Sequence, residues 1–158
     1  MLRVVPVVAG LALAACATPI PDNVSVGCAR GRPGPIEGEW RLERIDGIPW
    51  AATEATLYAE PQGFAGSLAC NGYGTSEPEE GGPHYAVERG RLALKGDIVT
   101  TTIFCGDRIL MAFEGVFVDF LYDEPHVARR ADGSGLCLYT DDGRSLEFRR
   151  LGSEERTG

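Results

Sequence analysis

From Glu37 onward, apolar and polar residues alternate mostly with a period of two, the spacing of strands that bury one face. Trp40 and Leu42 alternate with Arg41 and Glu43, and Asp46-Gly47 closes that run as a turn. Leu57 to Glu60 and Phe64 to Ala69 predict two more short strands, separated by Pro61-Gln62-Gly63. Asn71-Gly72 is the strongest short hairpin signal in the chain, because both central residues of such a turn need positive φ. Ser76 to Pro83 reads as an exposed loop carrying Glu77, Glu79 and Glu80. Tyr85 to Glu88 and Arg91 to Leu94 are hairpin partners around Gly90, and Ile98 to Thr102 is a further β-rich run.

One segment departs from this period. Between Asp107 and Tyr122, the residues Ile109, Leu110, Phe113, Val116, Phe117, Phe120 and Leu121 recur at helical spacing. Asp107 is placed to cap the N-terminus and Pro125 follows the C-terminus, so the wide aromatic stripe predicts a helix buried against a sheet. Three runs follow, His126 to Arg130, Leu136 to Thr140 and Ser145 to Arg150, with Asp132-Gly133 and Asp142-Gly143 as turns between them. The fold class expected is mainly β (α+β): a small antiparallel, barrel-like curved sheet of about eight strands with one helix packed on it.

The chain begins differently. Met1-Leu2-Arg3 precedes an uncharged apolar run from Val4 to Ala15, too short for a membrane span of roughly twenty residues. Leu13-Ala14-Ala15-Cys16 resembles the lipobox of bacterial lipoproteins. That resemblance implies a leader over residues 1–15 and acyl chains on Cys16. Two or three such chains anchor a protein far more durably than one. Ala17 after the cysteine, rather than Asp, implies onward sorting to the outer membrane, with the domain expected in the periplasm. Residues 16–35, with Pro19, Pro21, Pro33 and Pro35, read as the lipidated cysteine and a semi-extended tether. Residues 36–151 then form the domain and 152–158 a polar tail.

Composition narrows the function classes. The 158 residues are 44% apolar, and 23 acidic residues against 15 basic ones give a formal charge of −8. No basic face is visible, which argues against nucleic acid as a partner. The five cysteines are an odd number, resolved if Cys16 carries lipid and Cys28, Cys70, Cys105 and Cys137 pair as two disulfides in an oxidising compartment. Four cysteines permit three connectivities. No CxxC occurs and His84 and His126 stand apart, so no metal, cofactor or catalytic residue is expected.

Several residues, in order, look like a META domain, the domain of the HslJ-like family of bacterial lipoproteins. They are Trp40-x-Leu42, Gly66 leading into Cys70-Asn71-x-Tyr73, Thr101-x-x-x-Cys105, Glu114 with Leu121, and a closing Leu136-x-Leu138. The resemblance covers roughly residues 36–151 and implies a small β-rich domain with one helix, no established catalytic activity, and association with envelope stress. It favours Cys70 with Cys105, which leaves Cys28 with Cys137. Ala69 departs from the family, where the residue before Cys-Asn is usually Gly.

Trp40, Asn71, Tyr73, Thr101 and Glu114 are accordingly expected as structural motif residues, with Glu114 bonding backbone donors near Asn71 or Thr101. The expected role is a non-enzymatic envelope lipoprotein that supports stress tolerance or integrity by binding. An alternative is an acidic inhibitor of a basic enzyme such as lysozyme, docking at Glu77, Glu79 and Glu80. A third, a hydrolase, would require a pocket uniting Glu114 or a histidine with another titratable group.

Overall fold

The computed structural model describes residue 28 and residues 31–51, 54–104 and 106–152. Its strands form one antiparallel sheet, curled into a half-barrel, with one helix packed on it. In chain order the strands are β1 (Gly38–Ile45), β2 (Ile48–Pro49), β3 (Thr56–Glu60), β4 (Gly63–Leu68) and β5 (Asn71–Thr75). Then come β6 (Tyr85–Glu88), β7 (Arg91–Leu94) and β8 (Ile98–Thr100), followed by helix α1 (Arg108–Tyr122) and by β9 (His126–Arg129), β10 (Gly135–Tyr139) and β11 (Ser145–Arg150). Their spatial order is β6-β7-β9-β10-β11-β1-β3-β4-β5-β8, with the short β2 paired to β1. The last strand thus lies beside the first, and β6 and β8 are the two edges.

Among the described residues, eleven strands stand where about eight were expected. The additions include β2, only two residues long, and β5, whose sequence Asn-Gly-Tyr-Gly-Thr has too few side chains to show alternation. Asn71-Gly72 is not the turn that its sequence suggests. The β4–β5 turn lies two residues earlier, at Ala69-Cys70, with Leu68 paired to Asn71 and Ser67 to Gly72. The positive φ falls on Ala69, at 42°. Asn71 is drawn into the strand instead because its side chain is committed elsewhere, as described below.

The core is apolar and rich in rings. Trp40 is fully buried and donates its indole N–H to the Ile36 carbonyl at 2.7 Å, with Arg129 and Arg150 guanidiniums over the ring. Tyr73 pairs across from Gly66, and its hydroxyl donates to the Thr56 carbonyl at 2.9 Å. A Cβ on Gly66 would lie 2.0 Å from that same carbonyl oxygen, so only glycine fits. Burial pushes the Tyr73 phenol up from its ordinary value. From Tyr73 the rings continue to Phe117 (5.2 Å), Phe113 (5.9 Å) and Trp50 (4.3 Å).

Phe113 and Phe117, with Phe120 and Leu121, are the apolar buried face of α1. Asp107 caps it, accepting from the amides of Ile109 at 2.8 Å and Leu110 at 3.2 Å. The buried face is narrower than the sequence stripe. Ile109 and Val116 are 77% and 55% exposed, because the half-barrel mouth covers only the Phe113–Phe117–Phe120 side.

The segment preceding β1 is fastened to the sheet. Arg32 bridges Arg129 of β9, and Cys28 is joined to Cys137 of β10 with Cα atoms 5.3 Å apart. Gly31 makes this possible, since a Cβ there would lie 2.6 Å from the Ala128 Cβ. The bond spans 109 residues of sequence, and a loop of about 100 residues contributes about 4–5 kcal/mol in the chain-entropy account. The folded unit therefore includes residues 31–35, which the sequence assigns to the tether.

Ala69 carries a left-handed backbone that costs an L-residue about 1 kcal/mol or more relative to glycine. The Ala69→Gly variant should raise the urea midpoint by an amount equivalent to about 0.5–1 kcal/mol, the unfolded chain's extra entropy offsetting the rest. A lowered midpoint in equilibrium urea unfolding would contradict this account of the turn.

Candidate functional site

Three segments distant in sequence meet at one carboxylate. Glu114 lies on the first half of α1, next to Phe113, and is only 8% exposed. Its Oε1 accepts from the backbone amides of Cys70 at 2.8 Å and Asn71 at 2.9 Å, and its Oε2 accepts from Asn71 Nδ2 at 2.6 Å. The β4–β5 turn aims both amides at the helix, which explains why the turn is set at Ala69-Cys70.

Asn71 extends the network to the segment after β8. Its Nδ2 also donates to the Ile103 carbonyl at 3.1 Å, while its Oδ1 accepts from the Ile103 amide at 2.6 Å and the Thr101 hydroxyl at 3.0 Å. The Thr101 hydroxyl in turn accepts from the Gly72 amide at 3.0 Å. Both donors and both acceptor sites of the Asn71 amide are thus used. Its orientation is also fixed, because the reverse amide would set oxygen against the Glu114 carboxylate.

Beside this network, a cleft of about 520 Å³ opens between α1 and the 98–104 segment. Leu68, Ile98, Ile103, Phe104, Met111 and Val118 supply apolar walls, with Glu114 and Asn71 beneath them. Ile103 is 60% and Phe104 83% exposed, so the rim presents bare apolar surface. Asp119 also lines the cleft, and among the described residues no Lys, Arg or His does. These rim residues carry no period that marks them in sequence; only the Ile-Phe pair ahead of Asp107 hints at them.

The other expected residues lie apart from this cleft. Trp40 and Tyr73 are core residues, and Cys28–Cys137 ties the N-terminal segment to β10. Cys70 is disulfide-bonded, while Cys105, the partner expected for it, lies outside the described residues, as does Cys16. Glu77 and Glu79 line a second, polar cleft of about 410 Å³ with Lys95, Asp97, Tyr122 and Glu124; Glu80 is exposed nearby in the same loop.

Neither histidine enters the apolar cleft. His84 Nδ1 lies 3.2 Å from the Thr75 hydroxyl, and His126 Nε2 lies 2.8 Å from Asp141 while its ring stacks on Tyr139. Arg91, at 2.6 Å, and then His126 hydrogen-bond the Asp141 carboxyl and hold it below the usual carboxylate range. This ionic cluster went unrecognised in sequence, since Arg91 and Asp141 are fifty residues apart. Among the described residues, no group of three His, Cys, Asp or Glu is disposed to hold a metal ion.

Comparison with known proteins gives a family and a fold. The family model of the META domain matches residues 35–153. A protein from Burkholderia xenovorans, solved by NMR, is 25% identical and superposes with a TM-score of 0.55, over 73% of this chain and 82% of its own. A second NMR structure, 20% identical, superposes with the same score of 0.55, over 72% of this chain and 89% of its own. No curated protein matches this chain.

The network predicts a pH-dependent defect. Asn71→Asp would bring two carboxylates to the separation now held by the Asn71–Glu114 bond, so the folded state would retain a proton that the unfolded state releases. With the folded pKa raised, stability is lost as pH rises through it. The variant should unfold about 3 kcal/mol more easily than wild type at pH 8, with the deficit shrinking toward pH 4. Asn71→Ala, which removes a donor to Glu114 without adding a charge, should cost about 2–3 kcal/mol with a shallower slope. Urea midpoints measured across that range check both, and a flat Asn71→Asp deficit would count against the geometry.

Proposed function

This chain belongs to the META domain family, and we propose that it is a non-enzymatic lipoprotein of the bacterial envelope, held at the outer membrane by acylated Cys16. Its domain contributes to envelope stress tolerance or integrity by binding rather than by catalysis. The observation that carries this reading is Leu13-Ala14-Ala15-Cys16 placed directly ahead of a META domain. Removing the leader takes Arg3 with it and leaves the chain more acidic still, with an odd cysteine that the anchor accounts for.

The arrangement of Glu114 supports a binding role over a hydrolytic one. Both of its oxygens are engaged by the turn and by Asn71, so the carboxylate works as a hydrogen-bond acceptor that holds backbone in place. Asp119 shares the cleft but is exposed and five residues along the helix. No helix among the described residues is long and apolar enough to cross a membrane, so a lipid on Cys16 would be the attachment this reading relies on.

A second reading, inhibition of a basic enzyme such as lysozyme, is favoured by Glu77, Glu79, Asp97 and Glu124 lining one cleft. Retention of lysozyme by the immobilised protein at moderate salt, lost on replacing Glu77 and Glu79 by Gln, is what that reading expects. Absence of retention removes it.

The anchor itself is tested in cells fed radioactive palmitate. Wild-type protein should take up label and Cys16→Ser should not. A Cys16→Ser protein labelled to the wild-type level would overturn the anchor.

A further inference from the structure

Glu114 combines three features that its role as a strut does not explain together. It is a buried acid bonded by three N–H donors, and none of them belongs to a cationic group. Buried charges are ordinarily paired. Its Oε2 accepts a single bond among those described, leaving acceptor capacity beside the cleft. The walls around it are apolar, and among the described residues the only other charged one lining the cleft, Asp119, is also acidic.

The next residue on the helix points the same way. Gly115 occupies the middle of α1 and lines the cleft. A Cβ built there would meet nothing within 4 Å, so packing does not require glycine. A helix interior prefers almost any other side chain. What Gly115 does provide is open space beside Glu114, between α1 and Ile103.

We propose that this cleft binds a small cationic amphiphile, with its apolar chain along Ile98, Ile103, Met111 and Val118 and its ammonium group at Glu114. The cleft volume suits a single chain of modest length, and its charge selects the sign of the head group. The proposal rests on the reading of the domain as a binding module but not on the anchor. Titration of purified protein can fail while Cys16 is acylated, and acylation can fail while titration succeeds.

The test is calorimetric titration of the protein with octylammonium, 1-octanol and octanoate at pH 7, which share a tail and differ in charge. Amide shifts at Ile103 and Gly115 report the location. Octylammonium should bind about tenfold more tightly than octanol, and octanoate most weakly. Glu114→Gln should abolish the preference for ammonium over alcohol. Gly115→Arg, which fits the open space and suits a helix, should remain folded by circular dichroism and lose octylammonium binding. It keeps the test decisive if Glu114→Gln unfolds.

Equal affinity for the ammonium and the alcohol overturns the proposal. So does undiminished binding in folded Gly115→Arg, or no binding of any of the three probes. A wild-type dimer in sedimentation that becomes monomeric in Gly115→Arg also overturns it, since a second copy would then occupy the face.

Discussion

The buried hydrogen-bonded pair of Glu114 and Asn71 is the constraint on which the layout of this domain depends. A half-barrel leaves its two edge strands, β6 and β8, unjoined, and α1 must cover the opening. Ring packing from Phe113, Phe117 and Phe120 supplies the area, but apolar contact is non-directional and does not choose one seating of the helix over its neighbours. The carboxylate does choose. It accepts from two consecutive amides of the β4–β5 turn, a geometry available in only one position and rotation of α1. Asn71 then passes the constraint to Ile103 and Thr101, so the exit from β8 is placed by the same residue. Since an incompletely bonded polar group in this setting costs more than an apolar substitute would, the network is sound only as a whole.

That hierarchy explains what sequence reveals and what it hides. Strands whose inward positions are large, such as Trp40 and Leu42 in β1 or Leu136 and Leu138 in β10, announce themselves by alternation. The helix is equally legible, with Asp107 as its cap and Pro125 beyond its end. Strand β5 is not, because Gly72 and Gly74 contribute no side chain to the pattern and Asn71-Gly72 imitates a turn. Turn chemistry is a local preference worth about 1 kcal/mol, and Asn71 makes five hydrogen bonds that outweigh it. Ile109 and Val116 fit the helical stripe yet face outward, since periodicity gives the direction of an apolar face but not the width of its partner. Family resemblance singles out Glu114; its particular donors, 43 and 44 residues away, belong to tertiary structure.

The segment ahead of β1 follows a different logic. Its fastening to β9 and β10 rests on Gly31 fitting against Ala128 and on the bond between Cys28 and Cys137. A chain attached to a membrane transmits any pull to its first fixed point. Among the described residues the earliest such point is the covalent bond to β10, which pairs with both β9 and β11. A load arriving there meets strands held on both sides, whereas an edge strand would peel one hydrogen bond at a time. If Cys16 carries the proposed lipid, the pull therefore enters through β10 and not through the residues that line the cleft.

Helix α1 therefore has two separable faces, and they are thermodynamically linked. The ring face binds it to the sheet, and the face with Glu114 and Gly115 borders the cleft. Glycine in mid-helix lowers intrinsic helix stability by about 1 kcal/mol, so α1 depends on docking more than its length suggests. Whatever occupies the cleft makes contact only with the docked helix, and so adds to the stability of the docked state according to its concentration over its dissociation constant. The reverse also holds. A substitution that weakens the Asn71 clasp reduces the population of helix that can form the cleft, and weakens binding without touching the ligand. Structural support and recognition thus meet at adjacent residues, with Glu114 seating the helix and Gly115 leaving the space beside it open.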